Sequence, residues 1–173
     1  VGRGTFSEIY EASDLQAERD ANGMHPSVAI KVARDAQKCS MLTHEQEVLR
    51  DLQGSRYVAR YIELGYDANC HYLVMELLGD NISELRRAAT SKRLSLRTVM
   101  VLGLQTIDAI EHVHETGYIH RDIKPSNFCI GLHDPGRSYL LDFGLARRWK
   151  LANGELRPER NTVEFRGTCR YAS

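Results

Sequence analysis

The sequence predicts an α+β fold in two lobes, a small β-sheet carrying one helix followed by a mainly helical part. Three observations carry this expectation. Stretches of β-type composition occupy the first half, at residues 8–12, 28–34, 57–64 and 71–77. One amphipathic helical pattern, residues 41–52, interrupts them. From Gly79 onward the pattern turns helical, so the lobes should meet near residues 76–79 with a cleft between them.

Each element has a local reason. Glycines at Gly2 and Gly4 make a turn that runs into the first strand. The polar stretch 13–27, with Gly23 and Pro26, reads as a loop before the next strand. Gly54 is a stop for the 41–52 helix. The strands 57–64 and 71–77 join through residues 65–70. Residues 81–89 form a short helix, and Ser95 can cap a longer one ended by Gly117. The apolar face of that longer helix includes Val99, Leu102, Ile107, Ile110 and Val113. Short strands at 128–131 and 139–141 flank a turn built on Asp134, Pro135 and Gly136.

Bulk properties narrow the class. The 173 residues suit one domain with a sizeable core. Lys plus Arg and Asp plus Glu both number 23, so the totals suggest neither a nucleic-acid nor a membrane partner. No apolar run nears the roughly 18 residues of a membrane span, and no secretory leader pattern opens the chain. Cys39, Cys70, Cys129 and Cys169 lack C-x-x-C spacing and read as reduced thiols. The expected location is therefore intracellular, the cytoplasm first and the nucleus left open. The chain begins at Val1 and stops at Ser173 within an expected loop, so a piece of a longer protein is expected.

The chemistry-bearing motifs come in a fixed order. Gly2-Arg3-Gly4-Thr5-Phe6-Ser7 precedes the strand containing Ile9. Glycines let backbone N–H groups approach phosphate oxygens, although two glycines in a turn also suit a plain hairpin. A dinucleotide site would need a helix at once, and a strand follows instead. In Val28-Ala29-Ile30-Lys31, the lysine ends an alternating strand and could hold phosphates if a carboxylate positioned it. Glu45 and Glu47 are the candidates. At about 100° per residue, Glu45 falls on the face of Leu42, Val48, Leu49 and Leu52, while Glu47 points nearly opposite. Glu45 is the expected partner.

His120-Arg121-Asp122-Ile123-Lys124-Pro125-Ser126-Asn127 is the specific signal. Asp122 can accept the proton of an attacking hydroxyl, and Asn127 can offer an amide oxygen to a metal. Lys124, between them, can neutralise charge on a transferring phosphoryl group. Leu141-Asp142-Phe143-Gly144 follows, with Asp142 able to bind Mg²⁺.

This order of motifs resembles the protein-kinase signature set, over essentially the whole chain. The resemblance implies a bilobal protein kinase fold with ATP and Mg²⁺. It implies an N-lobe at 1–78 holding the glycine-rich loop, Lys31 and Glu45. A partial C-lobe at 79–173 would hold the catalytic loop, the Asp142 motif and the activation segment. Lys124 at its spacing resembles serine/threonine kinases. The segments 125–128, 141–147 and 165–173 resemble the casein kinase I superfamily, where Arg-Tyr-Ala-Ser stands in place of Ala-Pro-Glu. The wording of 80–87 and 154–161 is similar to its tau-tubulin kinase branch.

By that resemblance the ATP-binding set is Val1, Gly2, Arg3, Gly4, Thr5, Phe6, Ser7, Ile9, Ala29, Lys31, Glu45, Met75, Glu76, Leu78 and Cys129. Met75 is the gatekeeper, Glu76 and Leu78 offer backbone groups to adenine, and Cys129 packs beneath the ring. Asp122, Lys124, Lys31 and Thr168 form the catalytic set, and Asn127 and Asp142 the metal set. Arg160 aligns with an arginine that binds an acidic or already phosphorylated part of a substrate. Arg157, Arg166 and Arg170 lie nearby, and a merely solvated arginine cluster stands as the alternative.

The expected partners are protein substrates that are acidic, primed or cytoskeletal, acted on by a monomer. Ser7 departs from the family's third loop glycine. The C-lobe helices that follow in complete kinases are absent here, so residues 1–173 alone should be inactive. Two functions stay open, a serine/threonine kinase and a catalytically silent docking module. Lys31, Asp122, Asn127 and Asp142 all favour the first.

Overall fold

A computed structural model describes residues 2–3, 7–33, 39–67, 70–151, 153–158 and 165–172. They divide into two units, Val1–Gln53 with Ala59–Leu78 and Gly54–Val58 with Gly79–Ser173.

The first unit is built on an antiparallel sheet of order β1-β2-β3-β5-β4. Its strands are β1 (Gly2–Arg3), β2 (Ser7–Ser13), β3 (Ser27–Ala33), β4 (Tyr61–Asp67) and β5 (Cys70–Glu76). Alternation in β3 explains its central place: Val28, Ala29, Lys31 and Ala33 are buried there. Helix α1 (Cys39–Asp51) buries Leu42, Glu45, Gln46, Val48 and Leu49 and packs on β4 and β5. The chain turns away after α1 at Gly54, whose φ of 90° suits glycine. The connection from β2 to β3 is a loop, as expected. The Asp20 carboxylate accepts from the backbone N–H of Asn22 and of Met24, both at 2.9 Å.

Gly65 does not join two strands as the composition suggested. It sits within β4 opposite Tyr72, whose ring lies across the space a side chain at 65 would occupy. An aromatic cover over a strand glycine supplies the packing that glycine lacks. The strand start expected at Tyr57 also moves, to Tyr61. Tyr57 and Val58 belong to the second unit instead. There the Leu140 N–H donates to the Tyr57 carbonyl at 2.8 Å, and Val58 bridges Leu140 in parallel.

The second unit holds helices α2 (Ile82–Ala88) and α3 (Leu96–Glu115). Short strands β6 (Leu78–Asn81), β8 (Phe128–Gly131) and β9 (Ser138–Leu140) form a sheet of order β6-β8-β9. Strand β7 (Tyr118–Ile119) pairs with β10 (Arg147–Arg148). Asn81 and Glu84 make a reciprocal capping box that starts α2. Ser95 caps α3 through the Thr98 N–H at 3.1 Å, and Gly117 ends it with φ 89°.

The face expected of α3 is only partly the buried one. Ala109 and Val113 are buried, whereas Val99 and Ile107 are exposed. The helix packs on β7 and β9 along Ala109 and Val113, and Ile107 lies well round the cylinder from that line. Among the described residues no helix is long and apolar enough to cross a membrane.

Candidate active site

Two groups of side chains assemble, one in each unit. In the first unit, sheet register does much of the work. Gly2 lies opposite Ile9, Ile9 opposite Lys31, and Lys31 opposite Leu73. Ala29 lies opposite Met75 and Val28 opposite Glu76. Partners across a ladder point to one face, and so do residues two apart on a strand. Ile9, Ala29, Lys31 and Met75 therefore share a face. Helix α1 brings Glu45 to Lys31, whose ammonium donates to both carboxylate oxygens at 2.7 Å. Both residues are buried, and Glu47 is exposed.

Glu76 uses its backbone N–H on the Arg60 carbonyl, and its carboxylate accepts from the Arg60 N–H at 3.0 Å. Leu78 opens β6, and Ser7 is buried at the start of β2. Val1, Gly4, Thr5 and Phe6 lie outside the described residues, as does Arg160.

In the second unit everything converges on Asp122. Lys124 Nζ donates to its Oδ2 at 2.6 Å, and the Thr168 hydroxyl donates to its Oδ1 at 2.7 Å. The same hydroxyl accepts from Lys124 Nζ at 3.0 Å, closing a triangle. Asn127 Nδ2 donates to the Asp122 carbonyl at 2.8 Å and to Oδ2 at 3.3 Å. Both partners are acceptors, which orients the amide and turns Asn127 Oδ1 away as the remaining acceptor. Burial by itself would raise the Asp122 carboxyl. The hydrogen bonds from Lys124 and Thr168, with the lysine charge, hold it below its ordinary range.

His120 organises the floor beneath this cluster. Its Nε2 faces the Leu141 carbonyl at 2.9 Å, and its Nδ1 receives the Asp122 backbone N–H at 3.3 Å. A carbonyl only accepts and an amide N–H only donates, so the ring is neutral with its proton on Nε2. Desolvation pushes its pKa down, in agreement. The ring meets Phe143 edge-on with centroids 5.1 Å apart, and both are buried.

Asp142 is left-handed with φ 68°, an uncommon state for a residue with a Cβ. The contacts on both sides hold it there. His120 bonds the carbonyl of Leu141 before it, and Arg121 Nε bonds the carbonyl of Leu145 after it at 2.7 Å. The Leu141 N–H also donates to the Asn127 carbonyl at 2.8 Å. This ties the residue before Asp142 to the loop that carries Asn127.

One amide oxygen and one carboxylate are hard donors that suit Mg²⁺, which takes one or two protein oxygens and completes its shell with water and phosphate. Among the described residues no group of three or more His, Cys, Asp or Glu side chains is arranged to hold a metal. A two-oxygen set from Asn127 and Asp142 fits that pattern.

Cys129 is half-buried in β8 opposite Tyr139. Burial, with the Glu84 and Asp80 charges, pushes its thiol up to about 12. Motif reading missed the parts played by His120, Arg121, Phe143 and Gly167. The only available signal was their place beside residues already singled out.

The protein kinase domain family model matches residues 1–173. A Dictyostelium discoideum relative named as a serine/threonine-protein kinase is 46% identical over 175 residues, covering 100% of this chain and 34% of the relative. A Caenorhabditis elegans relative bearing a casein kinase I name is 34% identical, covering 100% of this chain and 50% of the relative. The chain thus spans half or less of the curated relatives it matches. With the family model extending over its whole length and the expected motifs at their spacing, the chain belongs to the protein kinase domain family.

Proposed function

We propose that this chain carries the catalytic residues of a serine/threonine protein kinase of the casein kinase I kind, within its tau-tubulin kinase branch. The observation that supports it most is the convergence of Lys124, Thr168 and Asn127 on the Asp122 carboxylate. The casein kinase I name of one relative supports the superfamily, and the wording of residues 80–87 and 154–161 supports the branch.

In this reading a substrate Ser or Thr oxygen attacks the γ-phosphorus of ATP while the bond to the β–γ bridging oxygen breaks and ADP leaves. The hydroxyl proton passes to Asp122. A carboxyl held below its ordinary range is a weak proton acceptor, so Asp122 contributes mainly by aiming the hydroxyl. Lys124 faces the oxygens of the transferring group, and Lys31, steadied by Glu45, holds the α- and β-phosphates. Asn127 and Asp142 would hold Mg²⁺, which when bound would neutralise charge on the phosphates. In this reading the glycine-rich turn serves the phosphates, and Ile9, Ala29, Met75, Glu76 and Leu78 serve the adenine.

The substrates are proteins, acidic or already phosphorylated near the target. Arg160 and the exposed Arg157, Arg166 and Arg170 support this. The test is ATP-dependent labelling of casein or a tubulin-type substrate by the full-length protein. Transfer should fall at least about 1,000-fold in Asp122→Asn. Equal labelling by wild type and variant would sink the assignment. Tight Mg·ATP binding without turnover would favour the docking module.

A further inference from the structure

Thr168 reaches the Asp122–Lys124 pair from a segment that is distant in sequence, and the residue before it sets how closely that segment approaches. Gly167 has φ 124°, a region that side-chain-bearing residues rarely adopt. A Cβ built there would lie 2.7 Å from the carbonyl oxygen of Arg121 and 3.7 Å from Asp122 Oδ1. The first neighbour is backbone and has no rotamer through which to retreat.

That backbone is also pinned. Arg121 is itself left-handed at φ 67°, and its Nε is bonded to the Leu145 carbonyl. Asp122 next to it is held through its N–H by His120 and through its carbonyl by Asn127. A side chain at 167 would therefore displace the 167–168 segment and leave the Asp122 loop in place. The 2.7 Å bond from Thr168 to Asp122 is the first contact that such a displacement lengthens.

We propose that Gly167 is a positioning residue for phosphoryl transfer, admitting the chain against the Arg121 carbonyl so that the Thr168 hydroxyl can bridge Asp122 and Lys124. The inference rests on the kinase reading above. It assigns Gly167 no contact with substrate, since its action runs through Thr168.

The experiment compares wild type, Gly167→Ala, Thr168→Ala, the double variant and Asp122→Asn as full-length proteins, with Mg·ATP and casein. Misplacement on the scale of an ångström costs about 100-fold in rate. Gly167→Ala should therefore lower kcat by about 10- to 100-fold while KM for ATP stays within about twofold. In the double variant the Gly167→Ala loss should largely vanish, because the hydroxyl it displaces is already gone.

Near wild-type kcat in Gly167→Ala overturns the inference, as do losses that multiply in the double variant. Loss of the cooperative thermal melt in Gly167→Ala, read by circular dichroism, also overturns it, since the glycine would then serve the fold at large. Transfer that is equal in wild type and Asp122→Asn overturns the kinase reading itself. Asp122-dependent transfer that ignores Gly167→Ala leaves that reading standing and removes only this inference.

Discussion

The Lys31–Glu45 pair offers a perturbation whose size follows from its surroundings. Both side chains are more than nine-tenths buried, with 2.7 Å between ammonium and carboxylate. At an effective dielectric of about 20, the gross attraction at that distance is about 6 kcal/mol. Much of it offsets the cost of taking two charges out of water. Glu45→Leu removes the attraction but leaves the lysine's desolvation, a loss of about 3–5 kcal/mol. For a domain of this size that lowers Tm by roughly 6 to 20 °C.

Lys31→Met should cost a similar amount, by removing the ammonium that faces the buried carboxylate. The double variant Lys31→Met/Glu45→Leu replaces two charges by apolar chains of similar volume. It should return to within about 1–2 kcal/mol of wild type. Thermal melts of the four full-length proteins supply the cycle. On the proposed function, kinase activity should stay lost even in the restored double variant, because that proposal assigns Lys31 to the phosphates. Additive losses in the double variant would refute the energetic reasoning. Activity recovering together with stability would refute the role given to Lys31.

Two further outcomes follow from the titrating groups. Asp122 is held below its ordinary 3.8, so the stability linked to its ionisation is present above about pH 3.8 and lost as pH falls through the lower folded value. A carbon-13 carboxyl titration should place Asp122 below that ordinary value in wild type and higher in Lys124→Ala; an unchanged midpoint would remove Lys124 as a cause. Cys129, pushed up to about 12, stays protonated at pH 8, and the stability linked to its thiol would be lost only as pH rises from about 9 towards 12. Iodoacetamide followed by mass spectrometry should label exposed Cys70 and Cys169 in the native protein and reach Cys129 only on unfolding. Equal native labelling at all three would contradict this.

Local signals made much of the molecule legible. Ser95 and Asn81 start helices because their side chains satisfy amide groups within three residues, a relation contained in the sequence itself. Glu45 could be told from Glu47 because helical geometry sorts residues three or four apart onto faces. The spacing of Asp122, Lys124 and Asn127 was legible for the same reason, since one short loop carries all three.

Other features depended on parts of the chain that meet only on folding. Composition made Tyr57 and Val58 look like the start of a strand, but their partner is Leu140, far along the chain. Gly65 looked like a turn because the ring of Tyr72 that covers it lies across the ladder. Periodicity spread the face of α3 too widely, because which apolar residues are buried depends on where β7 and β9 pack. The neutral His120 tautomer, the left-handed Asp122-adjacent Arg121 and the left-handed Asp142 are set by bonds to Leu141 and Leu145. Which chemical groups the site contains was readable from the linear chain, since each motif is short and its geometry local. How Thr168, Leu141 and Leu145 brace the Asp122 loop emerges only on folding, because these clamps join segments whose separation along the chain hides their contact.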